Sequence, residues 1–405
     1  MKTRFDIAVV GGGLAGSMAA LAAAAEGWSV AFIAPDPPGP DRRTTALLSE
    51  SIALLDRLGI WQTVQSQSAA LSTMRILDGT KRMFRAPPVS FRSSEIGMDA
   101  FGFNIPNAPL LAAARQRINQ TAEITTIETL LADARDTETT VELTLADGTQ
   151  LAADAVFGAD GRKSRVREIA GISARHWSYN QTALVLNFAH TRPHHNISTE
   201  FHTEEGPFTQ VPLPGNRSSL VWSMDPARID DVLALPRADL NRRVEARMSS
   251  LLGEVEIDDG FQSYPMSGLI TRNFAKGRIF LIGEAAHAFP PIGAQGLNLG
   301  IRDVEQAITC ISQANGPENA KAAGLSFDQQ RRLDVSSRTF GVDMLNRTLL
   351  TSFLPAQLLR AGGLTALGAI KPLKILAMKE GMTPGWRKTA ERPSLRKMLR
   401  EKVSR

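Results

Sequence analysis

Near its start the chain runs Asp6-Ile7-Ala8-Val9-Val10, then Gly11-Gly12-Gly13-Leu14-Ala15-Gly16, then an alanine-rich stretch. A short apolar run, glycines at fixed spacing and a helix-forming segment together specify a strand, a tight turn and a helix. Each spaced glycine answers a steric demand. Gly11 permits the turn, Gly13 lets a pyrophosphate approach the backbone, and Gly16 lets helix and strand pack closely. Leu14 and Ala15 open the helix, whose unpaired N–H groups and positive dipole end suit phosphate oxygens. Trp28 to Ile33 reads as a second buried strand. The pattern predicts an α/β fold that begins with a dinucleotide-binding βαβ unit. The acid that usually ends the second strand and bonds a ribose is missing, because Ala34-Pro35 stand there and Asp36 comes just after.

Other classes fit less well. The uncharged run from Ile7 to Ala25 is long enough for a signal peptide or membrane helix, but its glycines break it where the turn falls. The lone cysteine, Cys310, makes no internal disulfide, fits a reducing compartment and reads as a small buried hydrophobe. The formal charge of +5 is concentrated at one end: Gly385 to Arg405 holds eight Lys/Arg and two Glu, and the body is near neutral. That tail suits water or an anionic lipid surface; nucleic acid is not expected as a partner. A cytoplasmic location follows, with attachment at the inner face of the membrane left open. No metal-ligand cluster, nucleophilic serine or paired-carboxylate arrangement stands out.

Along the chain, Leu47 to Leu58 reads as helix, Met74 to Phe103 as short strands, and Pro109 to Asn119 as helix. Val141, Leu143 and Leu145 alternate with polar residues before the hairpin turn Asp147-Gly148. Alternation returns between Trp177 and Trp222, which marks a β-rich insertion. Leu240, Val244, Met248 and Leu251 fall at helical spacing. Arg278 to Ile282 reads as strand, Leu297 to Gln313 as helix, and Ser326 to Met378 as mostly helix.

Two further motifs join the first. One is Ala159-Asp160-Gly161-Arg162-Lys163-Ser164-Arg165-Val166-Arg167. The other runs Gly283-Glu284-Ala285-Ala286-His287 and continues through Pro290-Pro291-Ile292-Gly293-Ala294-Gln295-Gly296-Leu297-Asn298-Leu299. In this order the three resemble the para-hydroxybenzoate hydroxylase-like flavin monooxygenases. Within them the chain is similar to the FAD-dependent hydroxylases of ubiquinone biosynthesis, in Arg43-Thr44-Thr45-Ala46-Leu47, Phe101 to Asn107, Trp177 to Ala183, Gly206-Pro207 and Tyr264-Pro265-Met266. The resemblance covers about residues 5 to 350.

It implies a Rossmann-like FAD-binding domain in three parts (1–75, 105–175 and 269–325). A β-sheet substrate domain is inserted as 76–104 and 176–268, and C-terminal helices with the basic tail fill 326–405. Gly11, Gly13, Leu14, Ala15 and Gly16 would cradle FAD, Arg43 would reach its pyrophosphate or ring edge, and Asp160 would sit near the dinucleotide. Gly283 and Glu284 would face the ribityl hydroxyls, although the family has Asp where Glu284 stands. Gly296, Leu297 and Asn298 would open a helix under the flavin ring, with Pro291 and Gly293 forming the turn beside the substrate. The implied reaction uses NADPH or NADH to reduce FAD and O2 to form a flavin hydroperoxide, which hydroxylates a prenylated phenol. No residue is assigned as proton relay: Tyr179, with His202 second, is the better candidate, but a packing or surface role suits both better, and His287 reads as structural. Phe353-Leu354 through Ile375-Leu376 gives an apolar helical region suited either to a membrane surface or to the enzyme's own core. A hydroxylase of a small soluble phenol, and a non-catalytic scaffold among other quinone-biosynthesis enzymes, are the alternatives on the same fold.

Overall fold

The computed structural model describes residues 3–35, 39, 41–80, 87–203, 205–290, 295–350 and 370–382. Strand β1 (Arg4–Val10) passes through the glycine turn into helix α1 (Leu14–Ala25) and then β2 (Val30–Ile33). Ile7, Ala8 and Val9 are fully buried, so β1 is covered on both faces, as its continuous apolar run requires. β3 (Thr44–Leu48) and α2 (Ser49–Arg57) follow. The helix expected from Leu47 thus starts at Ser49, because Thr44 to Leu48 extend along β4 (Gly102–Pro106) in an antiparallel pair. β-branched threonines favour that choice.

Next come α3 (Asn107–Asn119) and β5 (Ile124–Ile127). Strands Leu131–Asp136 and Val141–Leu145 then lead, through the expected hairpin, into β6 (Gln150–Gly158). β7 (Ala174–His190) crosses into a second sheet, and β8 (Gln262–Thr271) returns beside it. β9 (Ile279–Leu281), α4 (Gln295–Gln313) and α5 (Ala320–Leu350) complete the first layer.

Among the described residues the first sheet has eight strands, with β9, β6, β1, β2 and β5 side by side and parallel. The second has nine and is mostly antiparallel. Its two faces differ. Leu184, Leu186, Phe188, Phe208, Leu220 and Trp222 are buried beneath helices Ile229–Leu233 and Arg237–Arg247, which contribute Val232, Leu240 and Val244. Of the anticipated helical stripe, Leu240, Val244 and Met248 are buried but Leu251 is exposed: the helix ends at Arg247, and Leu252 takes the next core position. The opposite face carries the half-buried Val185, Thr209, Val211 and Val221. Part of the carboxyl-terminal apolar region packs on its own chain, since Met378 is buried with Leu48 and Phe101, and Lys374 pairs with Glu95. The rest of that region (353–369) and the basic tail lie outside the described residues.

A buried ion network fixes the chain after β9. Asp303 of α4 accepts hydrogen bonds from the Gly283 N–H (2.8 Å), from His287 Nε2 (2.7 Å) and from Arg331 Nε of α5 (2.6 Å). Arg331 also pairs with Asp334, and Asp303 and Arg331 are both fully buried. Burial alone would raise the Asp303 pKa, but the charges of His287 and Arg331, with these hydrogen bonds, hold it below the ordinary carboxylate range. Removing one member of such a pair strands the other charge at about 3–5 kcal/mol. Arg331→Met should therefore lower the free energy of unfolding by about that much in urea titration. Because the folded pKa of Asp303 is depressed, its stabilisation is present above about pH 4 and is lost as pH falls further. Asp303→Asn should be less stable at neutral pH and lose less stability between pH 6 and pH 3, measured by the same titration.

Candidate functional site

Strand register sets the site. Leu281, Gly158, Val10, Ile33 and Ile127 form one row across five parallel strands. One to three residues beyond that row come Gly283-Glu284, Asp160, Gly11, Ala34 and Glu128. The three motifs, more than a hundred residues apart in sequence, thus leave the sheet along one edge. Ligands of open α/β sheets bind outside these carboxyl ends. Four gaps of about 4.8 Å make the edge roughly 19 Å long, which suits an extended dinucleotide.

Two kinds of glycine occur here. Gly11 has φ of +120°, and a Cβ on it would lie 2.3 Å from the Ala159 carbonyl oxygen. A Cβ on Gly16 would lie 1.9 Å from the Gly11 carbonyl oxygen. Those backbones touch, and no side chain fits between them. A Cβ on Gly13 or on Gly296, by contrast, would meet nothing within 4 Å. These two keep space open. Gly13 also begins α1 without a side-chain cap, so the first-turn N–H groups have no side-chain acceptor from that position. Leu14 and Ala15 form that turn, and Ala15 Cβ lies 3.2 Å from where a Cβ on Gly283 would be.

Asp160 Oδ2 accepts the Val166 N–H at 3.0 Å, while Oδ1 is buried without a hydrogen-bond partner. A buried carboxylate oxygen beside the glycine turn calls for a donor from a ligand. Glu284 accepts from Arg162 Nε and from a second Arg162 nitrogen, each at 3.2 Å, and Arg162 also donates to Ser267 Oγ of β8 at 2.8 Å. Arg167 braces two motifs at once, donating to the carbonyls of Arg162 and Ala285, both at 2.8 Å.

Arg43 precedes β3 and forms a two-point pair with Asp41, with Nε at 2.8 Å and a terminal nitrogen at 2.7 Å. Asn107, at the start of α3, donates to the same Asp41. The Asp41 hydrogen bonds raise the Arg43 pKa against its burial, and the nearby Tyr264 and Glu284 add to the rise. Arg43 lies 5.3 Å over the Tyr264 ring, whose pKa burial raises. Its side chain remains 46% exposed, enough to turn from Asp41 to an incoming anion. The Asn298 side chain, which sequence reasoning did not assign, clamps β3. It accepts from the Leu48 N–H (2.9 Å) and Ser51 Oγ (2.7 Å), and donates to the Ala46 carbonyl (2.8 Å). The first turn of α4, with Gly296 and Leu297, is thereby fixed beside the strand that Arg43 precedes.

Tyr264, not Tyr179, belongs to this cluster. Tyr179 sits in a bulge of β7 and accepts from Trp177 Nε1. His202 is buried 2.8 Å from Glu200 on the half-buried face of the second sheet. His287 is core, held by Asp303 and stacked on Phe289. Pro291, Gly293 and Asp36 lie outside the described residues. Asp41, Asn107, Arg162 and Arg167 all fall within or beside the matched motifs, but sequence alone does not show which of their bonds they make.

The open space at Gly13, the donor-ready start of α1 and the unsatisfied Asp160 oxygen fit a flavin dinucleotide. The family described as FAD binding domain matches residues 4–340. A ubiquinone hydroxylase of Rhodospirillum rubrum, UbiL, is 33% identical over 93% of this chain and 89% of its own. The Escherichia coli 3-demethoxyubiquinol 3-hydroxylase is 29% identical over 92% of this chain and 97% of its own. The structure of p-nitrophenol 4-monooxygenase from Pseudomonas putida superposes with a TM-score of 0.75 at 18% identity, covering 94% of this chain and 99% of that one. That likeness is one of fold. Fold and family together define an FAD-dependent hydroxylase. More narrowly, the chain belongs to the ubiquinone-biosynthesis FAD hydroxylase family.

The two kinds of glycine give opposite expectations. Gly16→Ala should destabilise the apoprotein by about 1–3 kcal/mol through overpacking. Gly13→Ala should leave apoprotein stability unchanged yet weaken FAD binding by at least about tenfold, a 1.4 kcal/mol effect. Thermal melts and flavin fluorescence titration separate the two.

Proposed function

We propose that the protein hydroxylates the aromatic ring of a prenylated phenol in ubiquinone biosynthesis, using FAD, O2 and a reduced nicotinamide. The observation that carries this is the single edge, set by the paired Val10, Gly158 and Leu281, beyond which Gly11, Asp160 and Gly283 emerge together. When bound there, FAD supplies the oxygen-activating chemistry; the protein supplies placement and field. Gly13 and the start of α1 would take the pyrophosphate, Asp160 Oδ1 and Glu284 the hydroxyls, and Arg43 an anionic edge. N–H groups of Gly296, Leu297 and Asn298, at the positive end of α4, would stabilise negative charge on the reduced ring.

The half-buried face of the second sheet suits the substrate. One cross-strand row there holds Gln262, Val185, Val221, Thr209, Glu200 and Ile76. Its apolar members offer a surface for a prenylated ring, and Glu200 accepts from both His202 and Thr209. Tyr264 lies at the Arg43 end of this face, where its hydroxyl donates to Gln262; in this reading it would relay the phenol proton. No described helix is long and apolar enough to cross a membrane. We place the protein against an anionic lipid surface, a reading supported by the basic residues between Gly385 and Arg405.

Deleting the gene should stop ubiquinone synthesis and accumulate a prenylated precursor lacking one ring oxygen, identified by mass spectrometry. Unchanged ubiquinone would refute the assignment. The purified protein should oxidise NADH or NADPH faster when the accumulating precursor is supplied, followed by absorbance.

A further inference from the structure

β2 ends without the acid that normally bonds the adenosine ribose, yet its neighbours bring charge to the same place. Ile33 pairs with Ile127, and the Ala34 N–H donates to the Ile127 carbonyl at 3.0 Å. Glu128 therefore leaves β5 beside Ala34, one strand further along the edge, and is exposed. From the other side, α3 carries Arg115 to the glycine turn. A terminal guanidinium nitrogen donates to the Pro35 carbonyl at 3.2 Å. The same nitrogen lies 2.9 Å from where a Cβ on Gly12 would be, and Ala34 Cβ is equally close to that point. Between them is a cavity of about 160 Å³ lined by Phe32, Ala34, Arg115, Ile118, Thr126 and Glu128 among others.

We infer that Arg115 and Glu128 hold the adenosine half of FAD, in place of the acid that β2 lacks. A ribose diol presents O–H donors, for which a carboxylate is the natural acceptor, and Glu128 supplies one from the adjacent strand. Arg115 supplies donors only, so it takes the oxygens of the adenosine-side phosphate, which FMN lacks, next to Gly12. The substitution of partners is physically coherent. Ala34 is small, so Arg115 reaches past it to the turn, where a longer side chain on that face would stand in the way.

This inference rests on FAD being the cofactor, and its test separates the two. FMN carries the flavin, ribityl chain and one phosphate but no adenosine. Apoprotein is titrated with FAD and with FMN, following flavin fluorescence. Arg115→Met and Glu128→Gln should each weaken FAD roughly tenfold, the loss of a charge-assisted hydrogen bond, and leave FMN affinity unchanged. Equal weakening of both flavins, or unchanged FAD affinity, would overturn the inference. So would a selective loss of FAD in Asp36→Asn with the Arg115 and Glu128 variants unaffected. A wild-type chain that binds no FAD would defeat the cofactor reading itself.

Discussion

Where β1, β6 and β9 end side by side, three chain reversals share a space too small for side chains. Gly11 lies on the Ala159 carbonyl, Gly16 on the Gly11 carbonyl, and Gly283 against Ala15 with Gly300 behind it. Backbone contact of this kind is what lets motifs so distant in sequence open onto one crevice. If any of these reversals moved outward by the width of a methyl group, the edge would cease to be continuous. The site is therefore a property of packing in the first sheet before it is a property of any charged residue.

Polar side chains then fix what the glycines permit. Arg167 spans the second and third motifs through two carbonyls. Asn298 ties the start of α4 to β3 with two hydrogen bonds and to α2, through Ser51, with a third. Asp303 gathers Gly283, His287 and Arg331 around one buried carboxylate. Each brace joins elements that the register alone leaves independent, and each is buried or half-buried, where a satisfied polar network rigidifies its surroundings. Arg43 and Glu284 differ, because both stay partly exposed and both have partners within the protein. Such residues can exchange an internal partner for a ligand at little net loss of electrostatic energy.

Much of this was legible in the sequence, for definite reasons. The first βαβ unit, the hairpin at Asp147-Gly148 and the second sheet follow from apolar periodicity and turn chemistry, which are local. The helix expected from Leu47 began two residues late because its first residues were claimed by pairing with Gly102 to Pro106, a contact no local pattern reveals. The same non-locality hid the Asn298 clamp and the Asp303 network, whose partners lie up to 252 residues away. Tyr179 and Tyr264 lie on neighbouring strands, and only the fold shows that Tyr264 is the one whose ring faces Arg43. The absent acid after β2 was visible at once, whereas Arg115 and Glu128 emerge only once α3 and β5 are seen to flank that position.

A crystal structure of the protein with FAD tests the shared edge most directly. Convergence of the three motifs requires the pyrophosphate over Gly13, a flavin hydroxyl on Asp160 Oδ1 and the ring at the amino-terminal turn of α4. A flavin seated elsewhere, with Asp160 Oδ1 still unsatisfied and Gly13 facing solvent, would contradict it.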